Sequence, residues 1–243
     1  MIGTVSDHRL TTGRPARTHA VSHPYPKSAG SVEKGGTAYS KQQTKMNYKI
    51  YKVETLTRLS QDYHQRAVAK GFWDKFNTPG HYLMLAFGEL HEAVEADRLG
   101  KWAKLTPEQI QSLRSLEGKE FVKEFLQLVK DTVEDEFADT VIRLLDILGY
   151  MLKHRALSDE ETSTDLGVSS FYIEGVTTLA DTLWPILQEA CYLCAKYAQR
   201  PAILYAIRSL ELTSHRIGID LMAHIELKMR YNETRPRLHG KKY

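Results

Sequence analysis

From Met46 onward, apolar residues recur every three or four positions, the period of an α-helix, and no useful stretch shows the strict alternation of a strand. The pattern opens in MNYKIYKVETLTRL and predicts a first helix over roughly 50–69, ending near Gly71. Asn77-Thr78-Pro79 reads as a helix start, with a capping residue ahead of a proline in the first turn. The helix it opens fades at Gly100. Thr106-Pro-Glu-Gln109 is a capping box for a short helix. A long helix is expected over about 118–154 and a polar loop over 156–167. Two further helices follow, over about 170–198 and 201–232, with Pro201 at their junction. β-branched residues such as Thr132, Val133, Val141 and Ile142 fall inside this period. The expected fold class is therefore all-α, an antiparallel helical bundle with more apolar faces than one four-helix core needs.

Residues 1–45 lack any such period. They are rich in Gly, Ser, Thr, Pro and Lys and read as a disordered basic tail ahead of one all-α domain over 46–243. Met46 even fits as the natural start. The tail also changes the reading of charge. The whole chain is formally +3, but residues 1–45 hold seven basic side chains and only Asp7 and Glu33 as acids. The remainder is slightly acidic, which gives no support to nucleic-acid binding. No apolar stretch is long enough to span a bilayer, and the N-terminus lacks the apolar segment of a secretory signal, so a cytoplasmic protein is expected. Cys191 and Cys194 form a lone CxxC without the second ligand pair of a zinc site, and they read as small core residues.

Two carboxylate pairs carry the chemistry. Glu89 and Glu92 lie in LMLAFGELHEAVEADR, and Glu136 and Asp139 lie in DTVEDEFADTVIRLLD. Residues three apart share a helix face, so each pair offers a short strip of oxygens. Leu83, Leu85, Phe87, Leu90 and Val94 surround the first; Val133, Phe137, Val141, Ile142 and Leu145 surround the second. Such surroundings draw both strips toward the interior, where unpaired carboxylates are costly. Glu95 extends the first strip, and Asp135 and Asp146 extend the second. Two facing strips repel unless a cation lies between them, and oxygen ligands suit a hard divalent ion, Mg²⁺ or Mn²⁺.

GELHEAVEADR followed by VEDEFADTVIRLLD, together with the ending HIELKMRYNETRPRLHGKKY, resembles the MazG-like all-α NTP pyrophosphohydrolase superfamily. The likeness covers about 70–155 and 215–243; residues 165–215 extend beyond it. It implies a four-helix core with additional helices and a Mg²⁺ site held by Glu89, Glu92, Glu136 and Asp139. It also implies cleavage of an NTP or dNTP to NMP and pyrophosphate. Glu92 or Glu95 would take the proton of the attacking water. Lys228 and Asn232, four apart on the last helix, would contact phosphate and sugar or base. Arg235 and Lys228 are the first candidates to steady phosphates, with Lys130 and Arg143 behind them. Taken singly, each of these cations has a solvated surface charge as its plain alternative. Trp73 offers a face for a nucleobase or, equally, an anchor for the core. The family forms dimers or tetramers, so a homodimer or higher homo-oligomer is expected.

Two other classes compete. A non-catalytic helical interaction module would keep the bundle without the chemistry. A di-iron carboxylate bundle needs Glu-x-x-His on two helices, a pattern the chain does not contain.

Overall fold

A computed structural model describes residues 53–75, 77–153, 178–196 and 199–242. The tail expected over 1–45, the polar loop over 156–167 and the first part of the helix expected from 170 lie outside them. So does the side chain of Cys194. The described residues form eight α-helices and no strand. These are α1 Val53–Ala69, α2 Pro79–Arg98, α3 Pro107–Ser115, α4 Gly118–Leu128, α5 Val133–Leu152, α6 Leu179–Lys196, α7 Gln199–Arg216 and α8 Leu221–Thr234, followed by a 3-10 turn at Arg237–Gly240. No helix among them is long and apolar enough to cross a membrane.

The caps follow the sequence. Thr78 accepts from the backbone N–H of His81 with Pro79 behind it. Thr106 and Gln109 complete a reciprocal capping box. Two long helices, however, are each broken in two. The expected 118–154 helix stops at Leu128 and restarts at Val133. Asp131 takes a left-handed backbone, φ 61°, which a short polar side chain tolerates. Thr132 then caps α5, its hydroxyl accepting from the Asp135 N–H. The expected 201–232 helix breaks in the same way. Gly218 turns left-handed at φ 83°, and Asp220 caps α8 by accepting from the Ala223 N–H. Pro201 lies in the first turn of α7, where its missing N–H costs nothing.

Helix α5 is the centre of the bundle, packed against α1, α2, α7 and α8. Phe137, Val141, Leu144 and Leu148 have no exposed surface. A smaller apolar cluster of Leu113, Phe121, Phe125, Val129 and Leu227 joins α3 and α4 to α8. Helices α1 and α5 approach closely at Gly149. A methyl group built there would overlap the Ser60 carbonyl oxygen and come within 2.6 Å of the His64 Cβ. At an open helical site Gly→Ala stabilises. Here the sign reverses: Gly149→Ala should lower unfolding free energy in urea by about 1–3 kcal/mol, the usual cost of overpacking.

Candidate functional site

The first turn of α5 carries three consecutive buried acids, Glu134, Asp135 and Glu136. A helix N-terminus favours negative charge, and Thr132 sets where that terminus falls. The first two acids have structural partners. Glu134 accepts from the Ala103 and Lys104 N–H groups at 2.8 and 2.9 Å. Asp135 Oδ1 accepts from Lys228 Nζ at 2.6 Å, and its Oδ2 from the Asp131 N–H at 3.1 Å and Lys130 Nζ at 3.2 Å.

Glu136 and Asp139, one turn apart, meet Glu89 of α2. One oxygen from each of the three falls within 4.8 Å of the others. Arg143 donates to Glu89 at 2.6 Å, and Lys228 lies 2.7 Å from Asp139. Glu136 has Lys130 at 3.6 Å, beyond hydrogen-bond reach. Burial, reinforced by Asp135 and Asp139, pushes the Glu136 carboxyl up to about 8, with Lys228 and Lys130 opposing. Burial also lifts Asp135 above the usual carboxylate range against the pull of Lys228. At Asp139 burial acts upward too, but Lys228, Arg143 and Lys130 together bring it below that range. A second group, Asp131, Asp135 and Glu136, is as close, but it already holds the Lys130 ammonium against Asp131 and Asp135.

The other expected site residues are distributed as follows. Glu92 is exposed and outside the three-carboxylate cluster, though near enough for burial and then Glu89 to raise its carboxyl. Glu95 accepts from Arg98 of its own helix at 2.5 Å. Lys228 is fully buried, an internal counter-ion joining Asp135 to Asp139, with no surface of its own. Trp73 stacks with the rings of Tyr82 and Tyr150, centroids 4.3 and 4.6 Å away. Its N–H donates to Asp146.

Beside the cluster lies a cavity of about 110 Å³ bounded by α1, α2, α5, α8 and the C-terminal turn. Asp139 belongs both to its wall and to the carboxylate cluster. Arg143, Asp146, Asn232 and Arg235 line it, with Tyr82 and Lys241. The basic ending is pinned there. The Lys70 ammonium donates to the carbonyls of Glu233 and Arg235 at 2.9 and 2.6 Å, and the Lys70 carbonyl accepts from the Leu238 N–H at 2.9 Å. Lys130 is not in the wall.

One feature had little sequence signal. Asp146 continues the α5 face, but its partner His64, whose Nδ1 lies 2.8 Å from Asp146 Oδ1, sits on α1 with nothing nearby to mark it. Burial raises the Asp146 carboxyl, with the His64 and Trp73 hydrogen bonds opposing.

No protein-family model matches this chain, nor does any curated protein or solved structure. The likeness drawn from the motifs therefore stands on the residues quoted for it. The donor chemistry fits a hard ion: three carboxylates from two helices converge, and Glu136, the least exposed of the three, has Lys130 only at 3.6 Å.

Proposed function

We propose that this protein is a Mg²⁺-dependent pyrophosphohydrolase that cleaves a nucleoside triphosphate to NMP and pyrophosphate. The observation that carries the reading is the convergence of Glu89, Glu136 and Asp139 beside a cavity with Arg143, Arg235 and Lys241 in its walls. Those three carboxylates would hold the ion. A bound Mg²⁺ supplies Lewis-acid polarisation of the phosphates and a template for the attacking water. Glu92, with its raised carboxyl and exposed position, accepts the proton as the water oxygen bonds to the α-phosphorus. The α–β bridging bond breaks and pyrophosphate leaves with the bridging oxygen. Arg143, Arg235 and Lys241 offset the charge of the phosphates. Lys228 bridges Asp135 and Asp139 and holds the Asp139 carboxyl below the ordinary range.

The deciding experiment is a panel of ribo- and deoxynucleoside triphosphates, assayed for NMP and pyrophosphate with Mg²⁺, with Mn²⁺ and with chelator. Release that requires the divalent ion is expected. No release from any member with either ion would overturn the reading.

Metal binding should also depend on pH with a definite sign. Glu136 retains its proton up to about 8 without metal, and an ion must displace that proton. Mg²⁺ affinity should therefore rise between pH 6.5 and pH 9, and titration calorimetry at pH 7 in buffers of different ionisation enthalpy should detect proton release. Flat affinity and no released proton would contradict the assignment of Glu136 as a ligand.

A further inference from the structure

Helix α8 ends at Thr234, and Pro236 disfavours any helical continuation at Arg235. The chain beyond, residues 236–242, holds no acid and the cations Arg237, Lys241 and Lys242. It folds back through consecutive left-handed residues, Leu238 at φ 52°, His239 at φ 51° and Gly240 at φ 76°. Glycine takes that backbone freely, but Leu and His do so at a cost and seldom as neighbours. Each lowers the population of the folded-back form by roughly tenfold. Such strain persists only where the surroundings hold it.

The hold comes from the end of α1. The Lys70 ammonium donates to the Glu233 and Arg235 carbonyls at 2.9 and 2.6 Å, where a cation also suits the C-terminus of α8. The Lys70 carbonyl accepts from the Leu238 N–H at 2.9 Å. The remaining contacts are weaker. Arg237 pairs with Asp74, both more than half exposed, and an exposed ion pair contributes little. The His239 and Phe72 rings meet edge to face at 5.0 Å, and Arg235 donates to the His239 carbonyl at 3.1 Å. Two strained residues are thus set against one lysine and a few surface contacts.

The segment covers the cavity, with His239 and Lys241 in its wall beside Lys70 and Arg235. Burial and then Glu89 raise the Glu92 carboxyl, and Lys241 is near enough to oppose them. Burial and then Arg235 push the His239 imidazole down to about 4, with Asp139 near enough to oppose. Lifting the segment would open this wall and withdraw the Lys241 charge from it.

Resting on the nucleotide reading above, we propose that residues 236–242 are a strap that docks on the cavity and lifts from it, that Lys70 is its catch, and that a polyphosphate held with the divalent ion draws it down through Lys241. A ligand shifts such an equilibrium only by its differential affinity for the two forms. Lys241 supplies the difference, because it belongs to the wall only when the strap is docked. Lys70 is a positioning residue: it fixes the end of α8 from which the strap departs. The triphosphate enters and pyrophosphate leaves with the strap lifted.

The test is hydrogen exchange of the full chain, read by mass spectrometry on peptides of the strap and of α5. In the docked strap the Leu238, His239 and Lys241 N–H groups all donate, so their exchange reports docking. Magnesium pyrophosphate, which needs no turnover, should slow strap exchange by roughly fivefold or more, and Lys241→Ala should abolish that slowing. Without ligand, Lys70→Met should speed strap exchange by roughly fivefold or more while α5 stays within about twofold of native, and Lys70→Arg should retain most of the native protection. A merely structural Lys70 would instead change strap and α5 together. Leu238→Gly and Leu238→Ala both delete the leucine side chain beyond Cβ, but only glycine relieves the left-handed strain. The Gly variant should therefore protect the strap about threefold better than the Ala variant, although glycine elsewhere loosens a chain.

Strap exchange unmoved by Lys70→Met, or as slow as that of α5 in the ligand-free native protein, would make the segment a fixed wall and overturn the proposal. An Ala variant protected as well as the Gly variant would overturn it too. Pyrophosphate that binds by calorimetry without slowing the strap, or slowing that survives Lys241→Ala, would overturn the coupling. Failure of pyrophosphate to bind would sink the nucleotide reading with the coupling, while the Lys70 and Leu238 variants would still decide whether the strap docks and lifts.

Discussion

Glu136→Gln should abolish pyrophosphate release, by about 10³-fold or more in kcat/KM, while leaving the bundle folded. A ligand carboxylate that fixes a catalytic ion accounts for several kcal/mol of transition-state stabilisation, and each factor of ten corresponds to about 1.4 kcal/mol. The amide keeps the shape of the side chain and removes its charge. That charge is the poorly compensated one, buried beside Asp135 and Asp139. Its effect on stability has a calculable sign. The folded-state pKa of about 8 lies above the ordinary 4.5, so the group's contribution is fully present below pH 4.5 and is lost as pH rises through 8. Metal-free native protein should therefore lose stability across that window, and Glu136→Gln should lose less. Denaturation at pH 5 and pH 9 with chelator separates the two proteins, and added Mg²⁺ should restore the native one alone. A Gln variant with native turnover would remove Glu136 from the centre. A variant that loses turnover because it unfolds at pH 9 would contradict the charge argument.

The three-residue spacing put Glu136 and Asp139 on one face of α5, but the same spacing on α2 left Glu92 outside the cluster that Glu89 joins. Glu89, Glu136 and Asp139 needed only two neighbouring helices to meet. The apolar period hides the breaks at 129–132 and 217–220, although their punctuation is present. Asp131-Thr132 and Gly218-Ile-Asp220 are ordinary stop-and-cap signals, but Val129, Val133, Ile217 and Ile219 carry the apolar period across each gap. Periodicity alone runs through both gaps, whereas in the fold the left-handed Asp131 and Gly218 interrupt the hydrogen-bond ladder. The breaks matter for the site, because the first one makes Glu134, Asp135 and Glu136 the N-terminal turn of α5, not its middle. Partners far apart in sequence were beyond any local pattern. Trp73 pairs its N–H with Asp146 across 73 residues, and Lys228 reaches Asp135 across 93.

That last contact reverses the expected character of Lys228. Read from sequence, a cation four residues before Asn232 near the C-terminus suits a phosphate contact, and Lys228→Ala should then mainly raise KM, or lower kcat as well if the contact tightens in the transition state. Its ammonium is instead enclosed, 2.6 Å from Asp135 and 2.7 Å from Asp139, with Phe125 6.0 Å from it. Burial acts to lower its pKa, but the two aspartates outweigh that and raise it above the ordinary lysine value, so it is charged at neutral pH. Replacing it by Met fills the space and leaves two buried carboxylates facing each other. Breaking such a pair from one side costs about 3–5 kcal/mol, so Lys228→Met should be among the most destabilising single substitutions in the chain. Activity should fall with it, because Asp139 loses the neighbour that keeps it ionised below the ordinary carboxylate range. Urea denaturation measures the cost, and a second substitution identifies its cause. Asp135→Asn in the Lys228→Met background removes one of the two stranded charges and should recover a large part of the lost stability, whereas Asp135→Asn alone should destabilise. A Lys228→Met protein within about 0.5 kcal/mol of native, the range of ordinary surface changes, would show that the ammonium is no internal counter-ion and would return it to the phosphate.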